Sequence, residues 1–397
     1  MTLTELAASL GITNELSESF YKSYEKIKDA TTLYERDYLI RIQKEYALFE
    51  DDKFEALLKS FDDFSQNESL VKWAILARQE LMHSEDHDSL YGMPMPTRDG
   101  SLGRDMIALF PLLSLFEDAV KKYESLGFSR EEYMRELKSL SSCMASSEDG
   151  AFYFPNRLFG WCALYIYATI FRHGVLNFEI NEIFDPVIVL ENKNTKERVI
   201  LMTEGVFHRS GSSLLSAGLS EDKEGSFNAA LSETDSEYVG YSTKYGYIVP
   251  ERKIFNKSEW KKVLGKGDVA VSLHIPRGVD VSRESVKETV KQGMRIVRER
   301  YGEHIKFAYC RSWLLSPNIS QCLPSTSKII EFENCFERYP IKSTGKELMS
   351  FLFGKSVENY EELPENTSLQ KKVKQIYLDG NFIYAGAGII IEDEFYI

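Results

Sequence analysis

Apolar and polar positions change period part-way along the chain. Up to about residue 150 the apolar residues recur every three or four positions. Leu3, Leu6 and Leu10 open this helical spacing, and Gly11 stops it. The stretch 31–64 is rich in Glu, Lys, Leu and Tyr, with few breakers apart from Asp51-Asp52. Residues 70–81 and 107–123 are further amphipathic segments. Residues 129–140 open on a Ser-x-x-Glu box (Ser129, Glu132), which predicts another helix start. Between them, 91–103 holds Gly92, Pro94, Pro96, Gly100 and Gly103 and reads as a loop. These elements predict an all-α N-terminal domain.

Residues 158–171 form the most apolar segment. They fall short of the ~20 residues that a membrane span needs, and predict a buried helix. Beyond it the period shortens. Residues 175–180, 186–191 and 198–204 read as strands, the last two joined by a turn at Asn192-Lys193-Asn194-Thr195. Residues 209–240, rich in Ser, Gly, Asp and Glu, read as a long surface excursion. Residues 259–264 read as a short helix. Then Val269, Val271, Leu273 and Ile275 alternate with Ala270, Ser272, His274 and Pro276, a strand that Gly278 breaks. Ser282 stands at a helix N-cap position, and Ser285 with Glu288 offers a capping box one turn on. Val286, Val290, Gly293 and Val297 share one helical face, and a second strand follows over 305–315. Strand, helix, strand in one short segment predicts a β-α-β unit with parallel strands. Its helix start, with free N–H groups and the positive end of the helix dipole, favours a phosphate or carboxylate. Residues 327–339 and 364–378 read as helices and 382–391 as a closing strand. The fold class is α+β, with an all-α domain over 1–155 and a mixed β-sheet domain flanked by helices over 156–397.

Composition narrows the functions. The 397 residues include 61 acidic and 48 basic ones, a net charge of −13, which argues against a nucleic-acid binder. Five cysteines, with no CxxC pair, predict reduced thiols and a cytoplasmic protein. The first residues have neither a basic region nor a long apolar run, so no signal peptide is expected, and no membrane association. His83 and His87 are spaced as in a zinc-binding helix but lack the HExxH glutamate, so no metal is expected.

The residues of the central unit resemble a known family. His274-Ile275-Pro276 and, after the helix, Cys310-Arg311-Ser312-Trp313-Leu314-Leu315-Ser316-Pro317 are similar to the HIP and C-x-S-W-L-L-x-P signatures of bacterial two-domain acyltransferase-like proteins. In that family a helical N-terminal domain precedes a domain of the GNAT N-acyltransferase fold. Phe171 to Glu179, Trp260 with Val263-Leu264, Leu363-Pro364 and Gly386-Ala387-Gly388 agree in order. The resemblance implies transfer of an acyl group, acetyl above all, from acyl-CoA to an unidentified amine. It implies that the first strand and its neighbour splay apart around the pantetheine arm. The diphosphate would then lie on the loop 276–285. Ile275, Pro276, Arg277, Gly278, Ser282 and Ser312 become the cofactor-binding candidates. Asp280 and Ser282 stand where that superfamily places glycines, and a carboxylate there repels phosphate.

His274 becomes the candidate base toward the amine, or a bond to the donor's amide. Glu179 is a candidate acceptor of the ammonium proton, and Tyr339 a candidate acid toward the leaving thiolate. His274 and Glu179 also have purely structural readings: a histidine tying down its strand, and a solvated strand-end glutamate. Cys310 lacks the partners that a nucleophile needs. An alternative reading, motivated by Asp280, is a non-catalytic GNAT-fold ligand-binding or interaction protein. A third makes the helical domain a protein-interaction module.

Overall fold

The computed structural model describes residues 1–13, 16–83, 90, 92–96, 106–354 and 359–396. By its internal contacts the chain divides into two compact units, Met1–Phe171 and Arg172–Ile397.

The first unit is helical: α1 (Leu3–Ser9), α2 (Glu18–Ile27), α3 (Arg36–Tyr46), α4 (Asp51–Ser65), α5 (Glu68–His83), α6 (Leu109–Leu113), α7 (Phe116–Ser125), α8 (Arg130–Leu137), α9 (Ser139–Ser142) and α10 (Phe159–Ile166). The predicted capping box is made at α8, where the Ser129 side chain accepts from the Glu132 amide and the Glu132 carboxylate accepts from the Ser129 amide. The helical run expected over 31–64 breaks at Ala47, which ends α3 in the left-handed conformation. One two-strand ladder, β1 (Ala145–Ser146) with β2 (Phe152–Tyr153), interrupts the otherwise helical unit. The apolar segment 158–171 is buried as expected, but only 159–166 is α-helical. Ala168, at positive φ, turns the chain into β3 (Ile170–His173). His83 ends α5, and His87 lies outside the described residues. No helix among the described residues is long and apolar enough to cross a membrane.

The second unit contains two larger sheets. One holds β5 (Val187–Asn192), β6 (Arg198–Met202), β10 (Glu237–Lys244), β11 (Tyr247–Asn256) and β12 (Trp260–Gly265), in the order β11-β10-β6-β5-β12, with β9 (Ser232–Glu233) beside β10. A small pair, β7 (Glu204–Phe207) and β8 (Phe227–Ala230), stands apart. The predicted excursion 209–240 therefore contains strands. The segment 259–264, expected as a helix, is instead strand β12, paired antiparallel with β5. A bulge between Lys262 and Leu264 shifts its register and interrupts the alternation that marks a strand.

The other sheet carries the predicted β-α-β unit. Its order is β15-β16-β14-β13-β4-β3, with β4 (Leu176–Glu182), β13 (Val269–His274), β14 (Ala308–Ser312), β15 (Glu337–Pro340) and β16 (Gly386–Ile389). Helix α11 (Arg283–Tyr301) connects β13 to β14, which are parallel. It buries Val286, Val290, Gly293, Met294 and Val297, as the periodicity predicted. Gly293 lies directly on the Phe178 ring of β4. The helices α12 (Lys328–Glu333), α13 (Met349–Leu352) and α14 (Ser368–Leu378) complete the unit. The helix expected over 327–339 ends at Glu333, and Tyr339 belongs to β15. The two sheets meet through an apolar cluster that includes Val189, Ile200, Met202 and Ile248 on one side and Ala270, Tyr309, Tyr339 and Ile389 on the other.

Candidate active site

β13 pairs antiparallel with β4 over its whole length, Val269 opposite Glu182 and His274 opposite Asn177. Toward β14 the ladder is short. It joins Val271 to Ala308 and Ser272 to Tyr309, while both strands run on, to His274 and to Ser312. A gap therefore opens between two parallel strands beyond Ser272 and Tyr309. Backbone N–H and C=O groups along its walls are left to other partners.

Register then decides which side chains stand at that gap. Paired residues place their side chains on the same face, and every second residue returns to it. Ser272 is opposite both Glu179 and Tyr309, so Glu179, Ser272, His274, Tyr309 and Arg311 share one face. Phe178, next to Glu179, points to the other face and meets α11. The polar face is thus the one turned away from α11.

On that face His274 and Glu179 meet, with Nε2 and Oε2 2.6 Å apart. The Asn181 amide donates to the other carboxylate oxygen of Glu179 at 3.1 Å. The Glu179 side chain is 8% exposed and that of His274 34% exposed. A buried carboxylate is costly unless paired and hydrogen-bonded, and here both conditions are met. A carboxylate acceptor on Nε2 favours the ring tautomer that carries its hydrogen there. An imidazolium formed by proton uptake would be stabilised by Glu179. Two residues 95 positions apart, each singled out in the sequence, are therefore one unit.

Other candidates are placed elsewhere. Tyr339 is fully buried and donates to Asp185 at 2.9 Å. Burial, then the neighbouring Asp185 carboxylate, pushes its phenol well above the ordinary range, so it holds its proton tightly. Its hydroxyl is engaged by Asp185, 154 positions away in the sequence. Ser312 accepts from the Leu314 amide at 3.1 Å and lies on the face with Cys310, opposite to His274. Cys310 is buried, and burial pushes its thiol up to about 12, so no thiolate nucleophile is available.

The loop 276–285 leads from the gap to α11. Ile275 and Pro276 are half-buried, Arg277 is exposed, and Gly278 turns with φ 79°. Ser282 occupies the N-cap position without a side-chain cap bond, and the box expected from Ser285 and Glu288 is absent. The helix start is instead capped by carboxylates. Asp280 accepts from the Ser282 amide at 3.0 Å and from Lys328 Nζ at 3.0 Å. Glu331 accepts from the Arg283 amide at 3.2 Å. The backbone amide of Ser282, then Lys328, holds the Asp280 carboxyl below its usual range. Two amides that would cradle a phosphate are thus already engaged by negative groups.

Among the described residues no group of histidine, cysteine or carboxylate side chains could hold a metal ion. Sequence reasoning did not single out Asp185, Asn181 or Arg311 as site residues. Arg311 stands within the SWLL signature, two residues past Tyr309 on a strand whose partner carries His274, and that spacing was the available signal.

The profile of the GNAT-like C-terminal domain family matches residues 170–390. The chain belongs to that family. No curated protein matches it by sequence. Solved structures share the fold of the whole chain, GNAT-like C-terminal domain included. An acyltransferase mutant in complex with octanoyl-CoA has a TM-score of 0.63 at 13% identity, over 98% of this chain and 99% of its own. An acyltransferase in complex with decanoyl-CoA and teicoplanin has a TM-score of 0.63 at 14% identity over the same shares. At such identities the likeness is one of fold.

Proposed function

We propose that this protein transfers an acyl group from an acyl-CoA thioester to an amine, with His274 as general base and Glu179 as its partner. The observation that carries this reading is the 2.6 Å contact between His274 and Glu179 at the mouth of the strand gap. The gap suits the pantetheine arm, whose amides match the backbone groups beyond the short ladder. The acceptor nitrogen attacks the thioester carbon. A C–N bond forms, the C–S bond breaks, and CoA leaves as the thiolate. His274 takes the proton that the nitrogen loses, and Glu179 stabilises the resulting imidazolium. Structural neighbours solved with octanoyl- and decanoyl-CoA support medium-length acyl groups as donors alongside acetyl. One of them is also in complex with teicoplanin, which supports including glycopeptide amines among the acceptors tested.

The second reading is a binding protein without turnover. It is favoured by one observation, the carboxylates of Asp280 and Glu331 on the amides that open α11. The diphosphate does not fit those amides without displacing them. Arg277, which has no ion pair among the described residues, is then the cation left to meet it.

The test is thiol release from acetyl-, octanoyl- and decanoyl-CoA over an amine panel, beside thermal unfolding with each donor. His274→Ala should lower turnover about 100-fold or more and leave the donor-induced rise in melting temperature intact. Donor-dependent stabilisation with no thiol release from any amine would favour the binding reading. No stabilisation by any acyl-CoA would remove both.

A further inference from the structure

The face that carries His274 and Glu179 carries a second polar group. The last pair between β13 and β14 is Ser272 with Tyr309. Two residues further along each strand, with side chains on the same face, stand His274 and Arg311. They flank the gap from its two walls.

Arg311 is held in place from two directions. Its Nε lies 3.5 Å from Asp185 Oδ2, and its guanidinium lies 4.4 Å from the centre of the Phe184 ring. Asp185 is itself buried and fixed by the Tyr339 hydroxyl at 2.9 Å. Among the described residues Arg311 makes no side-chain hydrogen bond, its ion pair is the one with Asp185, and the side chain is 37% exposed. A guanidinium oriented in this way, with hydrogen-bond donors left over, matches a carboxylate in bidentate fashion. Tyr309 joins the two halves of this face. Burial, then Glu179, raises its phenol, Asp185 adds to this and Arg311 opposes it, so all these charges lie within one field.

We propose that Arg311 is the specificity-determining residue of the acceptor site and binds a carboxylate of the acceptor, an amino acid or short peptide whose amine then reaches His274. The inference rests on the acyl-transfer reading above. The CoA diphosphate is not the natural partner of Arg311, because α11, whose start would receive it, packs on the opposite face with Gly293 on the Phe178 ring.

The experiment measures CoA release from octanoyl-CoA with matched acceptors: glycine and glycinamide, β-alanine and β-alaninamide, phenylalanine and phenylalaninamide. The full chain should favour the acid of at least one pair by tenfold or more in kcat/KM. Arg311→Ala should erase that preference, mainly through KM and with a smaller effect on the amide than on the acid, and Arg311→Lys should restore part of it. Because Arg311→Ala leaves Asp185 without its cation, Asp185→Asn/Arg311→Ala is measured beside it. Equal rates for acid and amide in the native protein would overturn the inference while leaving acyl transfer standing. So would an equal loss for both members in the single and double variants. Absence of release from every acceptor would overturn the acyl-transfer reading and this inference together.

Discussion

Gly293→Ala tests how tightly α11 fixes the site. A Cβ at this position would lie 2.1 Å from Phe178 Cζ and 2.3 Å from Cε1. An ordinary carbon contact is about 3.5–4.0 Å, so ring or helix must move by more than ~1 Å. Phe178 is fully buried and cannot swing into solvent. Overpacking of this kind costs about 1–3 kcal/mol, and a shift this large belongs near the top of that range. Alanine returns about 1 kcal/mol through helix propensity. The net expectation is a loss of about 2 kcal/mol, or roughly 4–8 °C in melting temperature for a unit of this size. Phe178 is the neighbour of Glu179, so the same movement should disturb the His274–Glu179 contact and lower turnover. Differential scanning calorimetry of the full chain, with Gly293→Ala, Phe178→Leu and the double variant, reads the coupling directly. The smaller side chain should recover most of the loss. A Gly293→Ala protein that melts at or above the native temperature would refute the claim that α11 is seated on this ring.

Other consequences are more local. Tyr339→Phe should cost about 1–3 kcal/mol, because buried Asp185 loses its hydrogen bond, while acyl transfer by the folded protein stays unchanged; a tenfold slower reaction at intact stability would return Tyr339 to the chemistry. Asp280→Gly removes a carboxylate from the loop and releases the Ser282 amide and Lys328, so CoA should bind several-fold more tightly by titration calorimetry; weaker binding would move the diphosphate off this loop. Glu333 is 2% exposed with its Oε1 unpaired, and burial pushes its carboxyl up to about 7 against the nearby Arg338 guanidinium. A raised carboxyl favours the protonated folded state, so this contribution is complete below the usual carboxylate range and is lost as pH rises through about 7. The loss is on the order of 3 kcal/mol, visible as a fall in denaturation midpoint from pH 5 to 8 that Glu333→Gln flattens; parallel curves for the two proteins would refute it.

Local patterns that repeat are what the sequence made readable. The alternation at Val269–Leu273 and the 3.6 period at Val286, Val290, Gly293 and Val297 each bury one side of one element, so hydrophobicity alone marks them. The Ser129 and Glu132 box needs only residues three apart. Two features escaped. β12 carries a bulge, which breaks the alternation that identifies a strand. The β10–β11 hairpin turns on Tyr245-Gly246, both at positive φ, without the asparagine or aspartate that usually announces such a turn.

The sequence by itself determined the parallel β-α-β unit, the helical first unit and His274 and Glu179 as side chains toward the ends of their strands. Tertiary structure alone decided what they touch. The antiparallel register of β4 against β13 puts Glu179 on His274, 95 positions away, and a slip of one residue would send it to the α11 face. The register of β14 against β13 sends Ser312 to the other face and keeps Arg311 on that of His274, while Tyr339 of β15 is buried on Asp185. Chain-local physics sets each element's period, but the meeting of distant charges depends on strand register and on which carboxylates reach the start of α11, and neither is written in any one stretch of sequence.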